Sequence, residues 1–167
     1  IALKTEVDHG TEVTVTLPLA KQKLSEPDTE IAQNYDPAGL AGMRVLVADD
    51  NHANRRILET LLGNLAIEVT MAQNGHEALA QYEPGAFDVL LLDISMPGLD
   101  GIGALREIRA LEIAAKIPAV PALAVTANAM QHQINEYLAA GFDGHIAKPF
   151  RKATLLQAIA RQSHKSR

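Results

Sequence analysis

Four apolar runs in this chain each end in a polar residue of a type that phosphate chemistry uses. Val45-Leu46-Val47-Ala48 runs into Asp49-Asp50, Val89-Leu90-Leu91-Leu92 into Asp93, Ala122-Leu123-Ala124-Val125 into Thr126, and Ile146-Ala147 into Lys148. If these runs are neighbouring parallel strands, their carboxyl ends converge, and open α/β sheets place ligands there. Adjacent carboxylates repel each other and stay ionised most easily beside a cation. An all-oxygen set suits magnesium. Asp93 is then the candidate nucleophile, because a carboxylate that attacks phosphorus forms an acyl phosphate. Lys148 and Thr126 are of the types that neutralise and hydrogen-bond phosphoryl oxygens. Taken singly, these residues have plainer uses: Asp50 or Asn51 as a helix N-cap, Asp93 as a solvated strand end, Thr126 in a local turn and Lys148 as surface charge. Their coincidence at four strand ends favours the site.

The elements that must position them are legible in the pattern. From Met43 onward, short apolar runs alternate with helical periodicity, the signature of a βαβ series and a parallel sheet. Five units are expected. Strand one is Met43–Ala48, followed by a helix with Ile57, Leu58, Leu61, Leu62 and Leu65 on one stripe. Strand two, Ala66–Ala72, alternates polar and apolar residues and is expected at an edge, with a short helix opening at Asn74-Gly75. Strand three, Phe87–Leu92, is unbroken and therefore buried on both faces; Ile102, Leu105 and Ile108 mark the next helix. Strand four is Ala119–Val125. A helix with Met130, Ile134, Tyr137 and Leu138 follows, capped by Gly141. Strand five is Asp143–Ala147, with Leu155, Ala158 and Ile159 on the last helix. Between Asp93 and Gly101 a Pro-Gly and an Asp-Gly step predict a loop that turns twice. Lys148-Pro149 is a second rigid element, since an X-Pro bond can be cis.

Upstream, residues 1–20 alternate polar and apolar about Asp8-His9-Gly10 and predict a β-hairpin, and residues 21–41 read as a linker. Residues 42–162 form the main domain, and 163–167 a polar tail. The chain of 167 residues carries a net charge of −5, which argues against holding nucleic acid by phosphate attraction. It has no cysteine, which fits a reducing compartment, and no apolar run long enough to cross a bilayer. The expectation is a cytoplasmic piece without membrane contact. Because Ile1 is not preceded by an initiator methionine, a membrane anchor elsewhere in a parent protein is left open.

Residues 42–162 resemble the receiver domain of two-component response regulators. The match carries, in order, the acidic pair, the Asp93-Ile94-Ser95-Met96-Pro97-Gly98-Leu99-Asp100-Gly101 loop, the Thr126-Ala127 step and Lys148-Pro149-Phe150. The resemblance implies a doubly wound (βα)5 flavodoxin-like three-layer sandwich with sheet order 2-1-3-4-5. It implies a phosphoryl group accepted on Asp93 from a histidine kinase phosphodonor domain, or exchanged with a histidine phosphotransfer domain. Mg²⁺ would be ligated by Asp50, Asp93 and the Ser95 carbonyl, with Asp49 acting through water. Thr126, the Ala127 amide and Lys148 would hold the phosphoryl oxygens, with Lys148-Pro149 cis. Where many receivers carry an aromatic switch residue, this chain has His145, as receivers fused to histidine kinases do; a switch role and a half-exposed edge position remain equal alternatives. No output domain follows Gln162, so the signal is expected to leave through the surface of the first helix, with Ala53, Asn54 and Ile57. Asp8-His9-Gly10-Thr11 and Val13–Leu19 resemble the last hairpin of a histidine kinase ATP-binding domain, which points to a hybrid kinase as the parent.

Two other protein classes share part of this pattern. Haloacid-dehalogenase-like phosphatases also join an aspartyl nucleophile, a Thr and a Lys to Mg²⁺, but carry a second aspartate two residues on, where this chain has Ser95. A receiver used only for docking would not need every site position intact. A nucleotide-binding loop is not supported, as Gly101-Ile102-Gly103 follows no strand directly and lacks a third glycine.

Overall fold

The computed structural model describes residues 2–6, 10–14, 37–127 and 130–163. Strands β1 (Ala2–Glu6) and β2 (Gly10–Thr14) pair antiparallel, with Leu3 opposite Val13 and Thr5 opposite Thr11. The expected turn at Asp8-His9, the continuation through Leu19 and the linker to Asp36 lie outside the described residues, as does the tail from His164.

The main body runs β3 (Arg44–Ala48), α1 (His52–Gly63), β4 (Glu68–Ala72), α2 (Gly75–Gln81), β5 (Val89–Asp93), α3 (Gly101–Ala115), β6 (Ala122–Thr126), α4 (Gln131–Ala139), β7 (Gly144–Ala147) and α5 (Lys152–Ser163). All pairings in this sheet are parallel and the order is β4-β3-β5-β6-β7, the expected 2-1-3-4-5. Alternation along each strand divides the core in two. Val45, Val47, Val89, Leu91, Leu123, Val125 and Ile146 face one side and pack with Leu58 and Leu62 of α1 and Leu155, Leu156 and Ile159 of α5. Leu46, Ala48, Leu90, Leu92, Ala122 and Ala124 face the other and pack with Ala78, Leu105, Ile108 and Tyr137 from α2, α3 and α4. The sheet is therefore covered on both faces, which is why its central strands have no polar alternation.

Several expectations shift. Pro37–Leu40, read as the end of the linker, is a 3₁₀ turn whose Leu40 is fully buried beside α5. Its apolar leucine fills the base of that face, a contact no local period announces. Ile57, Met130 and Leu138, placed on helix stripes, are exposed. In α4 only Tyr137 is buried, so the helix lies on the sheet by a narrow contact. Gly141 follows the Ala140 cap at φ +100°, and its N–H and that of Phe142 donate to Leu138 and Tyr137 carbonyls, closing the helix as a Schellman motif.

At the end of the sheet away from the strand carboxyl ends, Glu112 of α3 is 2% exposed and accepts hydrogen bonds from Tyr82 Oη (2.9 Å), Arg109 Nη1 (2.7 Å) and the Val120 N–H (2.8 Å). It ties α2, α3 and the segment entering β6 together, and burial followed by the Glu112 contact pushes the Tyr82 phenol well up. Removing a charged acceptor from such a cluster leaves several donors unpaired. Glu112→Ala is expected to lower stability by about 3 kcal/mol, read as a fall in the urea midpoint at unchanged slope.

Candidate functional site

Because the strands are parallel, Asp49, Asp93, Thr126 and Lys148 emerge on one edge of the sheet. Register fixes their alignment: Ala48 lies opposite Leu92, Asp93 opposite Val125, and Thr126 opposite Ala147. The helix cap expected at Asp50 or Asn51 falls to Asn51, whose side chain accepts from the Ala53 and Asn54 N–H groups. Asp50 is therefore not consumed by capping and stays exposed at the rim.

Carboxylate oxygens of Asp49, Asp50 and Asp93 can all lie within 4.8 Å of one another. Asp49 has no solvent exposure. Its Oδ1 accepts from the Asn51 N–H (2.9 Å), its Oδ2 from Lys148 Nζ (2.8 Å), and Asn54 Nδ2 reaches both oxygens at 3.1 and 3.2 Å. Asp93 is 3% exposed; its Oδ2 accepts from Lys148 Nζ at 2.5 Å and its Oδ1 from the Ser95 N–H at 3.1 Å. Burial works against the charged form of each partner. For Asp93 it prevails over the hydrogen bonds from Lys148 and Ser95, so its carboxyl sits above the usual range. For Lys148 burial alone would lower the ammonium, but the hydrogen bonds to Asp49 and then Asp93 outweigh it and hold the group protonated. Asp49 and Asp93 thus share the Lys148 ammonium while Asp50 adds a third carboxylate, a hard oxygen cluster that, among the described residues, has charge to spare for a divalent cation.

Thr126 is buried at the end of β6, its hydroxyl 3.2 Å from that of Tyr137, and Ala127 beside it is exposed. Lys148-Pro149 is cis, as expected. His145 is half-buried and alternates with Ile146, which places it on the α3–α4 side of the sheet. On α1, Ala53 and Ile57 face outward, Ile57 with 46% exposure. Asn54, expected on that surface, instead turns its amide onto Asp49.

Asn54 is one of three contributions the sequence reading missed. Another is Tyr137, read only as core. The third is Gly101, where a Cβ would lie 2.3 Å from the Asp93 carbonyl oxygen. The Asp100-Gly101 step was legible as a turn, but the need is close approach: α3 begins against the backbone of Asp93. At the other side of the loop, a Cβ on Gly75 would lie 2.3 Å from the Leu99 carbonyl oxygen. The loop carrying Ser95 is held between two helix starts.

A doubly wound sheet with this crevice at its strand ends defines the class: an α/β domain that brings acidic, hydroxyl and ammonium groups to one end of its sheet. Residues 45–160 match the family model described as "Response regulator receiver domain", and the chain belongs to that family. It is 33% identical over 155 residues to the sensor protein GacS of Pseudomonas syringae pv. syringae, covering 93% of this chain and 17% of that protein. Among solved structures, it is similar to the receiver domain of the Pseudomonas aeruginosa sensor histidine kinase PA1611, which has a magnesium ion coordinated in its active site cleft (37% identity, TM-score 0.65, covering 74% of this chain and 99% of that one). It also resembles the Saccharomyces cerevisiae receiver domain of Ssk1, solved with the histidine phosphotransfer protein Ypd1 (27% identity, TM-score 0.69, 76% and 92% covered). This chain is a two-component receiver domain, and a phosphoacceptor role fits its fold.

Gly101→Ala must displace either α3 or the Asp93 backbone. An overpacking cost of about 1–3 kcal/mol is expected, together with shifted amide resonances from Asp93 through Ser95 in NMR spectra, which a substitution tolerated by the loop would not produce.

Proposed function

We propose that Asp93 is the phosphoacceptor of a phosphorelay, taking its phosphoryl group from a phosphohistidine on a partner. The observation that carries this is the setting of Asp93: buried at the end of a central strand, one oxygen on Lys148 and the other on the Ser95 amide, beside two further carboxylates. A carboxylate oxygen of Asp93 attacks phosphorus, the P–N bond to the imidazole breaks, and an acyl phosphate forms. Lys148 moves its hydrogen bond from the carboxylate to a phosphoryl oxygen, while the Thr126 hydroxyl and the Ala127 N–H accommodate the others. Fixed donors of this kind, together with positioning, carry most of the rate in phosphoryl transfer. Asp50, Asp93 and the Ser95 carbonyl would hold Mg²⁺, with Asp49 acting through water, and the donor set of oxygens fits that ion. Bound there, Mg²⁺ neutralises charge on the phosphoryl oxygens.

The phosphohistidine partner docks on the outer face of α1. Ala53 and Ile57 are exposed there, beside a shallow depression of about 280 Å³ lined by Arg56, Ile57, Thr60 and Leu61. A histidine phosphotransfer domain or the kinase's own phosphodonor domain is the occupant, as the Ypd1 complex of the Ssk1 receiver supports. The parent is a hybrid histidine kinase. In support, the GacS match of 155 residues is longer than the receiver segment itself. The exposed, mutually opposed Leu3 and Val13 of the hairpin also suit the edge of a preceding ATP-binding domain.

The test uses a small-molecule phosphodonor and intact-mass detection. Wild type is expected to gain one phosphoryl group in a Mg²⁺-dependent way. Asp93→Asn is expected to gain none while keeping the wild-type fold by circular dichroism. Incorporation retained in Asp93→Asn would overturn the assignment, and no incorporation in wild type would favour a docking-only receiver. The pH profile has a definite sign. Without Mg²⁺, burial raises the Asp93 carboxyl, so its charged form is lost on acidification sooner than in an exposed aspartate of ordinary value 3.8. In the Mg²⁺-free chain the Asp93 carboxyl, followed by its ¹³C shift, should take up its proton above 3.8, and Mg²⁺, which favours the carboxylate, should move that step to lower pH.

A further inference from the structure

The loop between β3 and α1 is held by a residue with no part in the site described above. Arg55, in the first turns of α1, donates from Nη1 to the carbonyl oxygens of Asp49 at 2.7 Å and of Asp50 at 3.0 Å. Both carbonyls precede the Asn51 cap, so the helix itself does not use them. A cation near a helix N-terminus opposes the helix dipole, so it is these carbonyls that hold the half-buried guanidinium there.

The clamp matters differently for the two aspartates. The Asp49 carboxylate is independently fixed by the Asn51 N–H, Asn54 and Lys148. The Asp50 carboxylate is exposed and accepts no hydrogen bond from the described residues, so its backbone sets only the point from which it can reach a cation, and the side-chain rotamer stays free. That backbone is pinned at its carbonyl by Arg55.

We propose that Arg55 is a positioning residue for metal binding: by clamping the carbonyls of Asp49 and Asp50 it fixes the backbone from which the Asp50 carboxylate reaches toward Asp93, so that an arriving cation has only that side chain's rotamer left to order. The proposal rests on Asp50 and Asp93 being Mg²⁺ ligands. It makes a prediction of sign. Arg55 is also a positive charge near a cation site, and if its charge were its main influence, a neutral side chain would tighten Mg²⁺ binding. A half-exposed charge is screened by water and salt, whereas residues that orient metal ligands typically account for roughly 10–100-fold in affinity. Positioning therefore wins, and neutralising Arg55 weakens the site.

Mg²⁺ titrations followed by amide shifts in NMR spectra decide the matter, as the chain has no tryptophan to report by fluorescence. Arg55→Met is expected to raise the Mg²⁺ half-saturation concentration by roughly tenfold or more, with phosphorylation of Asp93 recovering at saturating Mg²⁺. Arg55→Lys, which keeps the charge on a shorter arm, is expected to weaken binding less. Unchanged or tighter Mg²⁺ binding in folded Arg55→Met would overturn the proposal. Should Arg55→Met fail to fold, Arg55→Lys decides alone: weaker binding supports the clamp and wild-type binding overturns it. If the wild-type chain shows no Mg²⁺ shifts at all, the site reading itself fails, and that result appears before any substitution is made.

Discussion

Three carboxylates gathered around one ammonium are the constraint on which the rest of the molecule turns. Left in water, Asp49, Asp50 and Asp93 would move apart. Here their oxygens can lie within 4.8 Å, and Lys148 bridges two of them. Holding like charges together requires that the backbone beneath each be immovable and that every buried oxygen have a donor. The Asn51 N–H, Asn54, the Ser95 N–H and Lys148 supply those donors. The residual negative charge is the reason the site suits a cation, and a charge-rich crevice of this kind is a common trade of stability for function.

The immovable backbone comes from the sheet. Two apolar layers clamp β3, β5 and β6 from both faces, so the last residue of each strand has little freedom. The far end is locked separately by Glu112, which joins α2, α3 and the approach to β6. By contrast α4 rests on the sheet chiefly through Tyr137, whose hydroxyl lies against Thr126. Packing is thus continuous under the acidic cluster, and the helix beside Thr126 buries one of its residues, Tyr137.

Much of this was legible in the residues. The unbroken Val89–Leu92 run announced a strand buried on both faces, and the alternation of Glu68 and Thr70 with apolar residues announced the edge position of β4. The polar residues ending each run announced the crevice. What failed was local periodicity where tertiary contacts decide burial. Ile57, Met130 and Leu138 fit helical stripes yet face outward, because each helix touches the sheet over a narrower arc than its apolar residues span. Leu40 is buried although it sits in a segment with no period at all. Asn54 read as partner surface and Gly101 as part of a turn, and Arg55 carried no signal; the contacts they make were not legible, since these lie in reaching a backbone or carboxylate set in place by other parts of the chain.

Residue types and their spacing were enough for the fold class, the order of the strands' polar ends and the chemistry those ends could perform. These depend on composition and spacing along the chain, where hydrophobic period and residue type are enough. Which donor each carboxylate receives, the capping of α1 by Asn51 rather than Asp50, and the inward turn of Asn54 emerge from the folded chain. Those outcomes depend on distances of about 3 Å between residues remote in sequence or on opposite sides of a turn. No pattern of residue types encodes such a distance; it is set by how two packed layers hold the strand ends in register.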